Sequence, residues 1–103
     1  MFVVASDDLE WSKKELNQIT GETFHYSSEC NHLNTGIESK LFDMALLSKG
    51  NHSIYDYGTY GFWCSYLAGG HTVLAHHMGN RTNNAVKNVK AAKLKNWHFI
   101  DSN

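Results

Sequence analysis

The sequence lacks any long apolar run, and it contains a single arginine, Arg81. A membrane-spanning helix needs about 20 consecutive apolar residues, and no segment approaches that length. Residues 1–5 are too short an apolar stretch for the core of a signal peptide, so we do not expect them to direct secretion. The net charge of −1 provides no general attraction to nucleic acid or to an anionic membrane. Binding partners must therefore be sought at particular sites.

Cysteine is also scarce, because Cys30 and Cys64 allow at most one disulfide. We do not expect that bond, since Cys64 falls on the apolar side of a predicted helix and Cys30 in a polar loop. Cys30-x-His32 and His76-His77 are the closest groupings of metal-ligating residues, and neither has a second pair at zinc spacing. No G-x-S-x-G motif or partnered cysteine and histidine occurs. The sequence therefore predicts no metal, and it does not support a serine or cysteine nucleophile.

The pattern of apolar residues predicts an α/β fold. With 103 residues and a hydrophobic fraction of 42%, the chain can form one small domain with its own core. Strands are predicted at 2–5, 23–27, 51–55 and 72–75, and helices at 8–18, 40–47 and 60–68. Their alternation favours an open, mostly parallel, Rossmann-like sheet. Loops are predicted at 28–38 and 76–84, a further helix at 85–94, and an amphipathic tail at 96–100.

The segment 57–70 is the centre of this predicted arrangement. Gly58 permits a sharp turn after the third strand, Thr59 is suited to cap the next helix, and Gly69-Gly70 ends that helix. The predicted buried face of the helix consists of Tyr60, Trp63, Cys64 and Leu67. A glycine turn that opens a helix directs several N–H groups, and the positive end of the helix dipole, at one point. We therefore expect an anion site, the alternative being that Gly58 and Gly61 only permit close packing.

Two further positions carry polar residues that are candidates for ligand binding. Ser6 and Asp7 follow the first predicted strand, and ligands of open parallel sheets bind at the carboxyl ends of strands. We expect Ser6 and Asp7 at the same sheet edge as residues 57–59, although Asp7 also fits as a helix N-cap with Glu10 three residues later. Asp43 is predicted in the first turn of a helix, where a carboxylate stabilises the helix dipole without any ligand.

A longer set of segments resembles a known family of enzymes. In chain order they are FVVASDD at residues 2–8 with Trp11, FDMALLS at 42–48, NHSI at 51–54, YGTYGFW at 57–63 and YLAGG at 66–70. The last four resemble the carboxy-terminal motif of the α-1,2-fucosyltransferases, which are the galactoside 2-α-L-fucosyltransferases of glycosyltransferase family 11. The first resembles the segment that precedes this motif. The similarity covers about residues 1–75, in the family's order and with similar spacing.

The resemblance implies a fold, an activity and a set of site residues. It implies the nucleotide-sugar-binding half of a GT-B glycosyltransferase at residues 1–77, with 78–103 as a divergent tail. The reaction would transfer fucose from GDP-fucose to the 2-hydroxyl of a terminal galactose, without a metal, on the lumenal side of the Golgi membrane. Asp43 would bind the guanine edge, Gly58, Thr59 and Tyr60 the diphosphate, and Ser6 and Asp7 the ribose or base. No catalytic residue can be assigned.

The chain also departs from the family pattern. Gly50 replaces a common cysteine, His71 replaces an acidic residue, and the lysine-rich sequence after Met78 does not match. The family's H-x-R-R-x-D motif, which supplies cationic contacts to the departing GDP, is absent from these residues. We therefore expect a partial enzyme that is inactive without an amino-terminal domain. The alternatives are a non-catalytic module that binds GDP or a nucleotide sugar, and a purely structural α/β fragment.

Overall fold

A computed structural model of the protein describes residues 1–30, 36–56, 58–78, 81–82 and 84–101. The chain divides into two compact units, Met1–Leu46 and Leu47–Asn103. The predicted α/β class is confirmed, and both units contain parallel strand pairs. The predicted single sheet is wrong, because the strands of the described residues form one two-stranded and one four-stranded sheet.

The first unit begins with a β-α-β arrangement, as predicted. Its elements are β1 (Phe2–Val4), α1 (Leu9–Leu16), β2 (Phe24–Tyr26), α2 (Ser27–Cys30) and α3 (Gly36–Leu47), whose last residue falls in the second unit. β1 and β2 pair in parallel, with Phe2 opposite Phe24. The two rings stack with centroids 5.3 Å apart, which anchors the start of this short ladder.

The start of α1 differs by one residue from the prediction. The cap is Asp8, whose Oδ1 accepts a hydrogen bond of 3.0 Å from the Trp11 backbone N–H. The prediction that Asp7 caps this helix is therefore wrong. Asp8 is favoured as the cap because its backbone N–H donates a hydrogen bond of 3.1 Å to the Ser6 hydroxyl. This local turn presents the Asp8 side chain to the helix.

The helix α3 starts four residues earlier than predicted, at Gly36 instead of Lys40. The predicted loop over 28–38 is also interrupted by α2, and residues 31–35 lie outside the described residues. The polar start of α3 resembled a loop, but Glu38 lies in its first turn, where a carboxylate stabilises the dipole. Asp43 is consequently the eighth helical residue. The interpretation of Asp43 as a first-turn residue is wrong.

The second unit is organised around a long central strand. Its elements are β3 (Ser53–Tyr55), α4 (Thr59–Ala68), β4 (Thr72–Met78), β5 (Arg81–Thr82), α5 (Asn84–Ala91) and β6 (Trp97–Asp101). β4 pairs in parallel with β3 and β6 and antiparallel with β5. Leu74 of β4 and Val86 of α5 are completely buried. The core of this unit therefore involves both the central strand and α5.

The carboxy-terminal residues are more regular than expected. β4 and β5 occupy most of the stretch predicted as a loop at 76–84, and the amphipathic tail is the strand β6. Strand β6 pairs with β4, its neighbour in space but not in sequence. Periodicity identifies a strand, but it does not identify the partner with which that strand pairs. For this reason the prediction missed the extension of the sheet.

Candidate functional site

The turn between β3 and α4 contains three of the candidate residues, Gly58, Thr59 and Tyr60. Gly58 is the N-cap, with φ of 94°, and Thr59 is the first helical residue. The prediction that Thr59 caps the helix is therefore wrong. Gly58 adopts a backbone conformation that residues with a side chain rarely take, and it has no side chain to accept the first helical N–H groups. Tyr57, also part of the expected turn, lies outside the described residues.

The end of β3 packs closely against α4. A methyl group added at Gly61 would lie 2.5 Å from Cδ2 of Tyr55, so this position requires glycine. Cys64 and Ser65 continue the same face and are buried. Gly61 therefore permits close packing of α4 against β3. This supports, for Gly61, the alternative interpretation that the glycine only permits close packing.

The predicted buried face of α4 is correct at Cys64 and wrong at three other positions. Tyr60, Trp63 and Leu67 are exposed, and Trp63 retains 50% of its accessible surface. The helix approaches β3 at Gly61, where Tyr55 leaves no space for a side chain on α4. The periodicity of large side chains therefore indicated the wrong side of this helix.

A depression of about 230 Å³ lies beside the first turn of α4. It is lined by Tyr55, Gly58, Thr59, Phe62, Asn88, Val89 and Ala92, and most of this lining is apolar. We call this depression the α4–α5 slot. Its wall of Asn88, Val89 and Ala92 comes from α5 and the residue that follows it, in the segment interpreted as a tail. The spacing of Val86 and Val89 was the available signal that α5 packs against the domain.

The two aromatic side chains that form the floor of the α4–α5 slot, Tyr55 and Phe62, both pack on the indole of Trp97. The rings of Tyr55 and Phe62 contact Trp97 of β6, with centroid distances of 6.2 and 5.4 Å. Burial raises the pKa of Tyr55 to about 12, so its hydroxyl stays neutral well above physiological pH. The floor of the slot is therefore an uncharged aromatic surface packed on β6.

The remaining candidates belong to the first unit. Ser6 and Asp7 lie in the loop between β1 and α1, and the Ser6 hydroxyl already donates to Asp8 O at 3.2 Å. Asp43 is half-buried in α3, and its Oδ1 is buried without a hydrogen-bond partner among the described residues. Because β1 and β3 belong to different sheets, the expectation of one shared sheet edge loses its basis. Binding by Ser6, Asp7 and Asp43 remains a prediction.

Comparisons with known proteins identify the family. The profile described as glycosyl transferase family 11 matches residues 1–101. The chain is 34% identical over 105 residues to galactoside α-(1,2)-fucosyltransferase 1 of Sus scrofa and also to that of Homo sapiens, covering 99% of this chain and 27% of each relative. The protein of the same name from Leontocebus fuscicollis is 33% identical over the same share. No solved structure matches.

The chain belongs to glycosyltransferase family 11. The match extends beyond residues 1–75, over which the resemblance was seen, and includes α5 and β6. The chain spans about a quarter of the length of the family 11 relatives it matches, with 27% covered in each of the three named above. In the part of the chain that the structure describes, no helix is long and apolar enough to cross a membrane.

His71, which the resemblance marks as a departure from the family pattern, belongs to a cluster of three histidines. Its backbone N–H donates to Nδ1 of His52 at 3.0 Å, and its own Nδ1 lies 2.9 Å from Nε2 of His98. These three histidines connect the starts of β3 and β4 with β6. His52 precedes β3 whereas Gly58 follows it, so the cluster and the glycine turn flank opposite ends of that strand. Among the described side chains, no group of three histidine, cysteine or acidic residues is arranged to hold a metal ion. The side chains of Cys30, His32, His76 and His77 are not described.

Proposed function

We propose that this chain is the donor-binding part of a galactoside α-1,2-fucosyltransferase. The reaction moves L-fucose from GDP-fucose to the 2-hydroxyl of a terminal galactose in a glycan. Family 11 membership and the names of the relatives support this activity. The observation that supports a particular site is the glycine turn at the start of α4, which lies beside the α4–α5 slot in the same unit. The proposal includes a GT-B architecture, no metal, and residence on the lumenal side of the Golgi membrane.

The first turn of α4 is the proposed site for the diphosphate. The backbone N–H groups of Thr59 and Tyr60 lie at the positive end of the helix dipole, where an anion is stabilised. Gly58 allows a close approach because it has no side chain. The Thr59 hydroxyl is exposed and does not cap the helix, which leaves it suited to donate to a phosphate oxygen.

Asp43 is the proposed partner of the guanine base. Burial of an unpartnered carboxylate oxygen is unfavourable unless a donor satisfies it. The N1–H and N2–H₂ groups of guanine are such donors, and the position of Asp43 two turns into α3 means that a helix dipole does not account for it. We assign the ribose or base to Ser6 and Asp7 as well, because both are exposed in the loop after β1.

The transfer step requires charge that this chain supplies only in part. The galactose O2 attacks C1 of fucose, the bond from C1 to the β-phosphate oxygen breaks, and GDP leaves with its negative charge while a base takes the hydroxyl proton. Stabilising such a leaving group is usually among the largest catalytic effects. Arg81 is the single arginine of the chain. We therefore assign the cationic contacts to the leaving GDP to an amino-terminal domain with the H-x-R-R-x-D motif. The same domain would form the other side of the active-site cleft.

Calorimetric titration of GDP tests the diphosphate site. The double variant Gly58→Ala/Thr59→Val should weaken GDP binding by ~1–3 kcal/mol, the scale of a few lost hydrogen bonds to a charged group. Gly21→Ala is the matched control, because Gly21 also has a positive φ, of 85°, but lies in the first unit. An unchanged titration for a folded double variant would contradict the proposed site.

An activity assay tests the proposed division of labour. Residues 1–103 alone should not transfer fucose to a galactose-terminated acceptor above background, whereas the same residues joined to an upstream arginine-bearing domain should. A fucosylated product from the 103-residue chain would overturn the partial-enzyme interpretation. GDP binding without transfer in the joined protein would favour the alternative of a non-catalytic binding remnant.

A further inference from the structure

We propose that the α4–α5 slot receives the methyl-bearing side of a 6-deoxyhexosyl group and thereby selects GDP-fucose over its 6-hydroxyl analogue, GDP-L-galactose. This inference rests on the proposed function, because it places the diphosphate at the first turn of α4. It assigns a role in donor specificity to Val89 and Ala92, in the segment that the sequence pattern did not connect with the site. The argument depends on the size, lining and position of the slot.

The size of the slot fits one sugar ring. Pockets that enclose a whole drug-sized ligand usually measure about 300–1,000 Å³. The slot, at about 230 Å³, is smaller than that range, so it suits one part of a nucleotide sugar and not the whole molecule.

The lining of the slot favours an apolar group. Tyr55 and Phe62 form its floor, and Val89 and Ala92 form its wall on the α5 side. A hydroxymethyl group placed there would lose hydrogen bonds to water without regaining them all, whereas a methyl group has none to lose. Fucose differs from L-galactose by this single oxygen at C6. Trp97 contacts both aromatic rings, so these two side chains of the slot are packed on strand β6.

The position of the slot fits the sugar of a bound donor. Gly58 and Thr59 belong both to the proposed diphosphate turn and to the rim of the slot. The hexose of a nucleotide sugar is attached directly to the β-phosphate, so it must lie next to the turn that holds the diphosphate. Guanine is the competing occupant, but its edge carries several donors and acceptors, and among the residues that line the slot only Tyr55, Thr59 and Asn88 have polar side-chain groups.

The test is calorimetric titration of the purified 103-residue chain with GDP, GDP-L-fucose and GDP-L-galactose. The unmodified chain should bind GDP-L-fucose roughly 10- to 100-fold more tightly than GDP-L-galactose, the range for small changes in an apolar pocket. Ala92→Leu should fill the slot and weaken GDP-L-fucose binding about 10-fold or more, while GDP binding stays unchanged. Ala92→Ser should reduce the preference between the two sugars.

The matched controls are Ala91→Leu and Ala91→Ser. Ala91 is the adjacent residue, is also exposed, and does not line the slot, so these variants should leave all three affinities unchanged. Circular dichroism of each variant checks that it is folded.

Each contrary result has a defined meaning. Equal affinity of the unmodified chain for the two sugar nucleotides overturns the inference, as does an equal loss of GDP and GDP-L-fucose binding in Ala92→Leu, which would assign the slot to guanine. Neither result contradicts the proposed diphosphate site at the first turn of α4. Absence of GDP binding by the unmodified chain overturns the proposed function, and this inference with it.

Discussion

The two compact units differ in how much apolar surface they bury. In the first unit, Tyr26 is the one buried hydrophobic residue among the described residues, and the sheet consists of two three-residue strands. The second unit buries Cys64, Leu74, Val86 and Val89 around a seven-residue central strand. Because burial of apolar surface is the main stabilising contribution to folding, we expect the second unit to be the more stable one.

The largest expected effect concerns Gly70 of the second unit. A methyl group added there would lie 1.6 Å from the backbone oxygen of Asn51, and a backbone clash cannot be relieved by rotating a side chain. Gly70→Ala should destabilise the protein by about 4 kcal/mol or more in urea denaturation. Gly21→Ala, in the first unit, meets no described atom within 4 Å and should cost only about 1 kcal/mol from backbone strain. Similar losses of unfolding free energy in Gly70→Ala and Gly21→Ala would contradict the expected difference between the units.

Leu74 provides the next largest effect. It retains 1% of its accessible surface, so Leu74→Ala should lower the free energy of unfolding by about 2–5 kcal/mol. Ile54, on the neighbouring strand β3, is the control because it is 73% exposed, and Ile54→Ala should cost less than about 1 kcal/mol. Equal shifts in the urea midpoint would show that β4 is not the centre of the core.

Alkaline pH should destabilise the second unit through Tyr55. Its folded pKa of about 12 lies above its ordinary value of 10.0, so the folded state favours the neutral phenol. This contribution to stability is fully present below pH 10 and is lost as the pH rises towards 12. The fall in thermal stability over that range should be smaller in Tyr55→Phe than in the unmodified chain. An identical fall in both proteins would contradict the assignment.

The smallest effect compares one buried hydroxyl in each unit. The hydroxyl groups of Tyr26 and Thr72 are buried without a hydrogen-bond partner among the described residues. Tyr26→Phe and Thr72→Val should therefore leave stability unchanged or raise it by up to about 1 kcal/mol. Thr72→Ser, which keeps the hydroxyl, is the control. A loss above about 1 kcal/mol in either apolar variant would show that its hydroxyl is satisfied in solution.

Local chemistry predicted the features that depend on neighbouring residues. The β-α-β start, the glycine turn at Gly58, the end of α4 at Gly69 and the burial of Cys64 are confirmed. Gly69 adopts φ of 80° and its N–H donates to Ser65 O, as expected for a glycine that ends a helix. The family is confirmed as well, because the order and spacing of its motifs are properties of the sequence alone.

Two errors concern helix caps, where the residue next to the predicted one is the cap. Asp8 caps α1 instead of Asp7, and Gly58 caps α4 instead of Thr59. Each adjacent pair contains two residues that are acceptable caps, so propensity alone does not choose between them. The Ser6 hydroxyl and the positive φ of Gly58 make that choice in the folded chain.

The sequence by itself determined the family, the α/β class and the glycine turn, since these follow from composition, spacing and residues close together in the chain. Only the tertiary structure decided that β6 pairs with β4, that α4 packs through Gly61 and Cys64 with Trp63 outside, and that α5 lines the slot. The pairing of β6 and the lining of the slot depend on contacts between residues far apart in sequence. The packing of α4 depends on close-packed interior space, since Tyr55 leaves no space for a side chain at Gly61.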